Sequence, residues 1–125
     1  MTNTSKKLIL IVDDSIDNQN LLELLFSAKG HKVISTSNGI DALSLLKELS
    51  HLPNLILLDA RMPLMDGYQF RIEQKKNFRL RDIPVIVMTG DSDINMNEKM
   101  SFPDRVLVKP LSINSIREAC SDFLN

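Results

Sequence analysis

The sequence contains little of what several classes of protein require. Cys120 is its single cysteine, so an intramolecular disulfide and a cysteine-based metal site are excluded. The formal net charge of -1 leaves no basic field to hold the phosphates of a nucleic acid. The apolar run from Leu8 to Val12 follows Lys6 and Lys7, but two aspartates end it too soon for a signal peptide or a membrane span. These absences predict a cytoplasmic protein that binds neither nucleic acid nor a membrane directly.

The length and composition fit one globular domain. The chain has 125 residues, of which 43% are hydrophobic and 25% are charged. A chain of this size can bury a real core but has no room for a second catalytic or output domain. We therefore expect a single domain over residues 1–125, with a core that covers about 7–124, and we find no internal repeat or linker.

Short apolar runs alternate with longer segments of helical period, which is typical of βα units built around a parallel sheet. The runs are continuous and do not alternate with polar residues, as expected for strands that helices cover on both faces. The predicted strands are 8–12, 33–35, 55–58, 84–88 and 106–108.

The segments between these runs predict helices with recognisable ends. Ser15 is a candidate N-cap for a first helix over 16–29, which Gly30 would end. A second helix should cover 40–49, because Pro53 prevents it from running into the next strand.

Later helices are marked by caps and by an apolar stripe. A third should begin near Asp66 and Gly67, and the last should begin after an N-cap at Ser112. The basic residues expected at the exposed end of the third helix are Lys75, Lys76, Arg79 and Arg81. The apolar stripe of the last helix comprises Ile113, Ile116, Ala119, Cys120, Phe123 and Leu124. Because the stretch 90–104 is rich in Asn and Asp, we expect a short or irregular fourth helix there.

Chemically useful residues follow four of the five predicted strands. Ligands of an open α/β sheet bind beyond the carboxyl ends of its strands. The residues at these places are Asp13 and Asp14 after the first strand, Asp59 after the third, Thr89 and Gly90 after the fourth, and Lys109 and Pro110 after the fifth.

Each of these residues has an ordinary structural explanation when it is considered alone. Asp13 and Asp14 could cap a helix or face solvent, Thr89 could end a strand, and Lys109 could be a surface charge. Their convergence at one sheet edge changes this interpretation, because three carboxylates raise one another's pKa unless a cation is present. Oxygen ligands of this kind favour Mg2+ or Mn2+ completed by waters and a phosphoryl oxygen.

The same residues fit the transfer of a phosphoryl group to a carboxylate. A carboxylate can act as a nucleophile towards phosphorus, and such transfers depend on positioning and on neutralising the equatorial oxygens. Lys109 would pair with one phosphoryl oxygen, the Thr89 hydroxyl would donate to another, and the small Gly90 would leave its backbone N–H approachable.

With these residues in place, the chain resembles the receiver domains of bacterial response regulators over almost its full length. The matching stretches are LILIVDDS at 8–15, LILLDARMPLMDG at 55–67, PVIVMTG at 84–90 and VLVKP at 106–110. The resemblance implies a flavodoxin-like (βα)5 fold, with a five-stranded parallel sheet in the order 2-1-3-4-5 and helices on both faces.

The resemblance also implies roles for individual residues. Asp59 would be the phosphoacceptor, Asp14 a direct metal ligand and Asp13 an acidic partner that acts largely through water. The backbone carbonyl of Arg61 would complete the protein's metal contacts, and the backbone of Ala60 would contact the phosphoryl group.

At the other strand ends, Thr89 would be the switch hydroxyl and Gly90 would supply a second backbone contact to the phosphoryl group. Lys109 would be the phosphate-pairing lysine, and the peptide bond between Lys109 and Pro110 would be cis.

The chain also departs from the family pattern near the output face. Val106 stands where the family often has an aromatic residue, and a β-branched side chain cannot reproduce the movement of a ring. The interval from Thr89 to Lys109 is shorter than is usual in the family. Arg61 and Asp91 could form an ion pair that slows hydrolysis of the phosphorylated state, or both could simply be solvated.

The leading functional hypothesis is a stand-alone receiver without independent enzymatic turnover. It would accept a phosphoryl group from a histidine kinase or a histidine phosphotransfer protein, then bind a downstream protein or pass the group along a relay. One alternative is a docking receiver in which phosphorylation is incidental.

Two further alternatives are disfavoured by single positions. An aspartyl-nucleophile phosphohydrolase would usually need a second acid where this chain has Arg61. A flavin-binding module would need a Ser/Thr/Gly-rich loop where this chain has Asp13 and Asp14.

Overall fold

Five parallel strands form one sheet, as predicted. The structure is a computed structural model that describes residues 6–90, 100 and 103–124. The strands are β1 (Leu8–Val12), β2 (Lys32–Thr36), β3 (Leu55–Asp59), β4 (Val85–Thr89) and β5 (Arg105–Val108). The helices of the described residues are α1 (Ile16–Ser27), α2 (Gly39–Glu48), α3 (Gly67–Lys76) and the C-terminal helix (Ile113–Leu124). The strand order is β2-β1-β3-β4-β5, which confirms the order implied by the resemblance.

Alternate residues of the central strands pack into two separate cores. On one face of the sheet, side chains such as Leu10, Ile56 and Val87 pack with the buried residues of α2 and α3. On the other face, side chains such as Ile9 and Leu57 pack with α1 and the C-terminal helix. Every residue of β3 and β4 is buried, which explains why their sequences read as continuous apolar runs.

Side-chain caps set the beginnings of three helices. The side chains of Ser15, Asn38 and Asp66 accept hydrogen bonds from backbone N–H groups in the first turns of α1, α2 and α3. The Ser15 cap was predicted. Because Asn38 caps α2, that helix runs from Gly39 to Glu48 and not over the predicted 40–49.

Other predicted boundaries also need correction. Helix α1 ends at Ser27 and not at 29, because the chain turns through Gly30, whose φ is +88°. Asp59 and Thr89 are the last residues of their strands and do not follow them. On the C-terminal helix, Ile116, Ala119 and Cys120 are buried as predicted, whereas Ile113 is 48% exposed.

The prediction that Arg79 and Arg81 lie on the third helix was wrong. Helix α3 ends at Lys76, and the chain continues through a turn in which Arg79 reaches back to α2. There its guanidinium donates to the carbonyl oxygens of Leu46 and Leu49, the first at 2.9 Å. These acceptors end α2, so the basic side chain completes the hydrogen bonding of another helix.

The predicted fourth helix lies almost wholly outside the described residues, which omit 91–99 and 101–102. Within the described part of the chain, we find no helix long and apolar enough to cross a membrane.

Gly67 fixes the approach of α3 to the carboxyl end of β3. A Cβ atom at this position would lie 2.6 Å from the backbone oxygen of Asp59, closer than any side chain tolerates. The Gly67 N–H donates to the carbonyl oxygen of Ala60 at 3.1 Å. A glycine at the start of α3 therefore allows the helix to begin directly against the residue predicted to accept a phosphoryl group.

Candidate functional site

The sheet topology brings the predicted site residues to one edge. Asp13 follows β1, Asp59 ends β3, Thr89 ends β4 and Lys109 follows β5. The three strands β1, β3 and β4 are neighbours, and β5 pairs with β4 so that Thr89 faces Val108, one residue before Lys109. All of these residues therefore lie at the carboxyl ends of adjacent strands, as the sequence predicted.

Three carboxylates form the centre of the site. Asp13, Asp14 and Asp59 each offer an oxygen, and these oxygens lie within 4.8 Å of one another. Asp13 is fully buried and Asp59 is 4% exposed, whereas Asp14 is exposed. The cluster, which we call the acidic site, is thus buried on the sheet side and open to solvent at Asp14.

Lys109 bridges the two buried carboxylates of the acidic site. Its Nζ lies 3.2 Å from Oδ2 of Asp59 and 3.8 Å from Oδ2 of Asp13. The Lys109 N–H donates to the carbonyl oxygen of Thr89 at 2.7 Å, and the peptide bond to Pro110 is cis, as predicted. The end of β5 therefore holds the ammonium group against the acidic site.

Residues of the first turn of α1 hold Asp13 in place. The Ser15 N–H donates to its Oδ1 at 2.9 Å, and the Asn18 amide donates to its Oδ2 at 3.1 Å. The amide of Gln19 donates to the Asp13 carbonyl oxygen. Sequence reasoning missed Asn18 and Gln19, although amides one turn after an aspartate pair are a signal that could have found them.

Asp59 is the group whose ionisation the site perturbs. Burial and, to a smaller extent, the neighbouring Asp13 carboxylate raise the pKa of Asp59 to about 6, although the Arg61 N–H and Lys109 act in the opposite direction. That net rise means that the Arg61 N–H and Lys109 do not offset the combined effect of burial and of the Asp13 carboxylate on Asp59. A divalent cation would supply the missing positive charge.

The backbone after Asp59 has an arrangement that the sequence did not predict. The Arg61 N–H donates to Oδ1 of Asp59 at 3.2 Å, whereas the predicted roles of Arg61 were a metal contact through its carbonyl and an ion pair through its side chain. The Ala60 N–H donates to the Met88 carbonyl oxygen at 2.9 Å as part of the sheet. A contact from this N–H to a phosphoryl group would compete with that bond, and the role of Ala60 stays a prediction.

The remaining predicted positions differ in what surrounds them. Thr89 is buried at the end of β4. At Gly90 an added Cβ would meet nothing within 4 Å, so a ligand can approach the backbone there. The Cβ of a larger residue would also fit at this position without a clash. Val106 is half-buried and pairs with Val87 of β4. Asp91 lies outside the described residues, so its predicted pairing with Arg61 stays a prediction.

The donor set of the acidic site fits a hard divalent ion. Carboxylate oxygens from three residues converge there. The backbone carbonyl of Arg61, which the family resemblance implies as a further ligand, stays a prediction. Mg2+ and Mn2+ prefer oxygen ligands and retain waters, which suits a site that is open at Asp14. The residues therefore fit the predicted metal.

Comparisons with known proteins agree with this geometry. The family model described as the response regulator receiver domain matches residues 9–121. The polar-differentiation response regulator DivK of Brucella anthropi is 32% identical over 120 residues, which are 94% of this chain and 96% of that protein. The probable transcriptional regulator ycf27 of Cyanophora paradoxa is 40% identical over 110 residues, which are 86% of this chain.

The match to ycf27 covers 44% of that protein, so the chain spans less than half the length of this relative. Among solved structures, the Mn(2+)-bound form of the response regulator Rcp1 has a TM-score of 0.84 and 27% identity. That likeness covers 95% of each chain. From the acidic site, the strand order and these matches together, the chain belongs to the response regulator receiver domain family.

Proposed function

We propose that this chain accepts a phosphoryl group on the side chain of Asp59 from a phosphohistidine of a histidine kinase or a histidine phosphotransfer protein. The observation that carries this proposal is the placement of Asp59, buried at the end of β3 with Lys109 Nζ at 3.2 Å and two further carboxylates beside it. Receivers as a family are signalling domains and not turnover enzymes, and the family membership of this chain supports the same role.

The proposed transfer is a substitution at phosphorus. An Asp59 carboxylate oxygen forms the new bond to phosphorus, the bond from phosphorus to the histidine nitrogen breaks, and the imidazole leaves with the electron pair and takes up a proton. Such transfers need orientation and charge neutralisation more than covalent assistance from the protein. Asp59 is held for this purpose by the Arg61 N–H on one oxygen and by Lys109 on the other.

Neighbouring residues would receive the transferred group. Lys109 is positioned to pair with a phosphoryl oxygen, and the Thr89 hydroxyl would donate to another as the predicted switch. The open space around Gly90 gives a phosphoryl oxygen access to the backbone there. Asp13, Asp14, Asp59 and the Arg61 carbonyl would hold Mg2+ or Mn2+, which supplies positive charge for the transferring group.

The consequence of phosphorylation would be a change of binding surface. The new group adds negative charge and acceptor oxygens beside Thr89 and Lys109, which would shift the population between two arrangements of the strand ends. A downstream protein would read that shift, or a second phosphotransfer protein would take the group. The stand-alone action of the chain remains a prediction.

Intact mass spectrometry tests the proposal directly. After incubation with acetyl phosphate and Mg2+, the natural protein should gain one phosphoryl group, and chelation with EDTA should prevent the gain. Asp59→Asn should gain none, whereas Asp82→Asn, an exposed carboxylate change elsewhere, should gain the group as the natural protein does.

An adduct that persists in Asp59→Asn would contradict the assignment of the acceptor. If the natural protein gains nothing from acetyl phosphate and nothing from a phosphorylated histidine phosphotransfer protein, the docking receiver becomes the better hypothesis. Val106 is the observation that keeps this second candidate open, because a half-buried valine occupies the position of the usual switch aromatic.

A further inference from the structure

A cavity of about 540 Å³ lies between the end of α1 and the C-terminal helix. Its lining includes Leu25, Phe26, Lys29, His31, Arg117 and Cys120. His31 directly precedes β2, so this cavity is at the amino ends of the strands, whereas Asp59 ends β3. Strands of this length put roughly 16 Å between the two ends of the sheet. The cavity is therefore separate from the acidic site, and we call it the distal cavity.

The inner wall of the distal cavity is apolar. Phe26 and Cys120 are buried, and Leu25 is half-buried beside them. Burial raises the pKa of the Cys120 thiol to about 12, so the thiol stays protonated and behaves as a small apolar group. A volume of several hundred cubic ångströms with apolar walls is the usual size and character of a small-molecule site.

One polar side chain in this wall has an unused donor. His31 is 8% exposed, and its Nδ1 accepts the Lys7 N–H at 3.1 Å. In the neutral ring the hydrogen therefore resides on Nε2. Burial and the nearby Lys29 and Lys7 lower the pKa of His31, which keeps the ring neutral. Within residues 6–90, 100 and 103–124, no hydrogen-bond acceptor for Nε2 is found, so this N–H can donate to a ligand in the cavity.

The outer edge of the distal cavity is positively charged. Lys29 and Arg117 are both exposed there, and neither forms an ion pair with a carboxylate in the part of the chain that the structure describes. Lys29 lies close enough to influence the ionisation of both His31 and Cys120. The distal cavity is thus lined by an apolar wall, a neutral N–H donor and two cationic side chains.

We propose that the distal cavity binds a small amphipathic carboxylate, that is, a free molecule with an apolar chain or ring and one carboxylate group. The apolar part would pack against Phe26 and Cys120. The carboxylate would accept from Nε2 of His31 and pair with Lys29 and Arg117. This site would operate beside phosphoryl acceptance and does not depend on it.

Titration of the 15N-labelled full chain with octanoate, followed by two-dimensional NMR, tests this proposal. Saturable shifts are expected at His31, Cys120 and their neighbours, with the amides around Asp59 unchanged. The matched probe 1-octanol has the same chain without the charge and should bind more weakly. Arg117→Gln should weaken octanoate about fivefold, the size expected for losing one exposed charge contact, and should leave 1-octanol unchanged.

Lys47→Gln is the matched control, because it removes an exposed lysine from α2 on the opposite face of the sheet. This variant should bind octanoate as the natural chain does. Equal binding of octanoate and 1-octanol with no effect of Arg117→Gln would overturn the anionic class of ligand. Absence of saturable shifts with both probes would show that the distal cavity is not a binding site. Binding to anionic phospholipid vesicles without binding to octanoate would show that the ligand is a membrane lipid and not a free molecule.

Discussion

Two buried polar clusters lie on the described part of this molecule, and they differ in how their charges are balanced. In the acidic site, Asp13 and Asp59 share the single ammonium of Lys109, and the pKa of Asp59 is raised to about 6. On α3, Arg71 and Gln74 are buried to a similar extent, with Arg71 1% exposed and Gln74 fully covered.

The second cluster, which we call the Arg71–Gln74 network, matches its donors with acceptors. Arg71 Nε donates to the Met100 carbonyl oxygen at 2.9 Å, and a guanidinium nitrogen donates to Oε1 of Gln74 at 2.8 Å. The Gln74 amide nitrogen donates to the carbonyl oxygens of Leu80 and Ile83, each at 3.1 Å. These bonds tie α3 to the turn that follows it and to the chain before β5.

This difference in charge balance distinguishes a cluster that stabilises the fold from a cluster that is suited to binding a cation. A satisfied buried network holds neighbouring segments in one arrangement, and removing a member leaves the other groups unpaired. A cluster with excess negative charge is less stable alone and gains from binding a cation. Substitutions in the two clusters should therefore change stability in opposite directions.

The largest effect is expected from Arg71→Leu. This change leaves the Met100 carbonyl and Oε1 of Gln74 without their donor inside the core, so the free energy of unfolding should fall by about 3 kcal/mol. Urea denaturation followed by circular dichroism measures it. Arg81→Leu, at an exposed arginine that lies over the Phe78 ring, should lose less than about 1 kcal/mol. Similar losses in both variants would show that the contribution of an arginine to the free energy of unfolding does not depend on burial of its hydrogen bonds.

Asp59→Asn should do the reverse and stabilise the protein when divalent ions are chelated. The substitution removes a buried carboxylate that burial and Asp13 disfavour, so the free energy of unfolding should rise by about 2 kcal/mol. Saturating Mg2+ should reduce or cancel this advantage, because the natural protein then gains the free energy of metal binding. Asp82→Asn is the control and should change stability by less than about 0.5 kcal/mol. A loss of stability in metal-free Asp59→Asn would contradict the charge imbalance.

The same imbalance predicts a pH dependence with a definite sign. In the folded chain the pKa of Asp59 is about 6, against an ordinary value of 3.8 for an aspartate side chain. Between these two pH values the folded state therefore holds a proton that the unfolded state releases. Stability from this group therefore decreases as pH rises from about 4 to about 6 and stays low above that range.

Comparison of two proteins isolates this contribution. Free energies of unfolding of the natural chain and Asp59→Asn, measured in EDTA across this range, should differ most near pH 7 and converge towards pH 4. Groups that do not interact with Asp59, such as His31 at the other end of the sheet, affect both proteins alike and cancel in the difference. A constant difference across the range would show that Asp59 does not titrate abnormally.

The sequence predicted the acidic site better than the Arg71–Gln74 network, for a physical reason. The strands are continuous apolar runs, and a parallel sheet places whatever follows each run at one edge, so Asp13, Asp59 and Lys109 could be brought together from spacing alone. The strand order came from the family resemblance. The hydrogen bond from the Arg61 N–H to Asp59 could not be foreseen, because it depends on the direction of one backbone N–H.

Burial of Arg71 had no local signal. Helix α3 has the sequence GYQFRIEQKK, in which one more basic residue reads as part of a solvated face. Its acceptor on Met100 is 29 positions away, and only the packed structure brings them together. The same holds for Arg79, which sequence reasoning placed on the exposed end of α3 although its acceptors belong to α2.

Arg79 gives the smallest predicted effect and isolates the contribution of burial. Like Arg71, it donates to main-chain carbonyls of a distant segment, here Leu46 and Leu49, but its side chain is exposed. When Arg79→Ala removes these bonds, water can replace the donor, so the free energy of unfolding should fall by only about 1 kcal/mol. Lys47→Ala on the exposed face of α2 is the control, and urea denaturation is again the measurement. A loss as large as that of Arg71→Leu would mean that the carbonyls at the end of α2 are as poorly hydrated as those in the core, and that matched donors stabilise this fold regardless of burial.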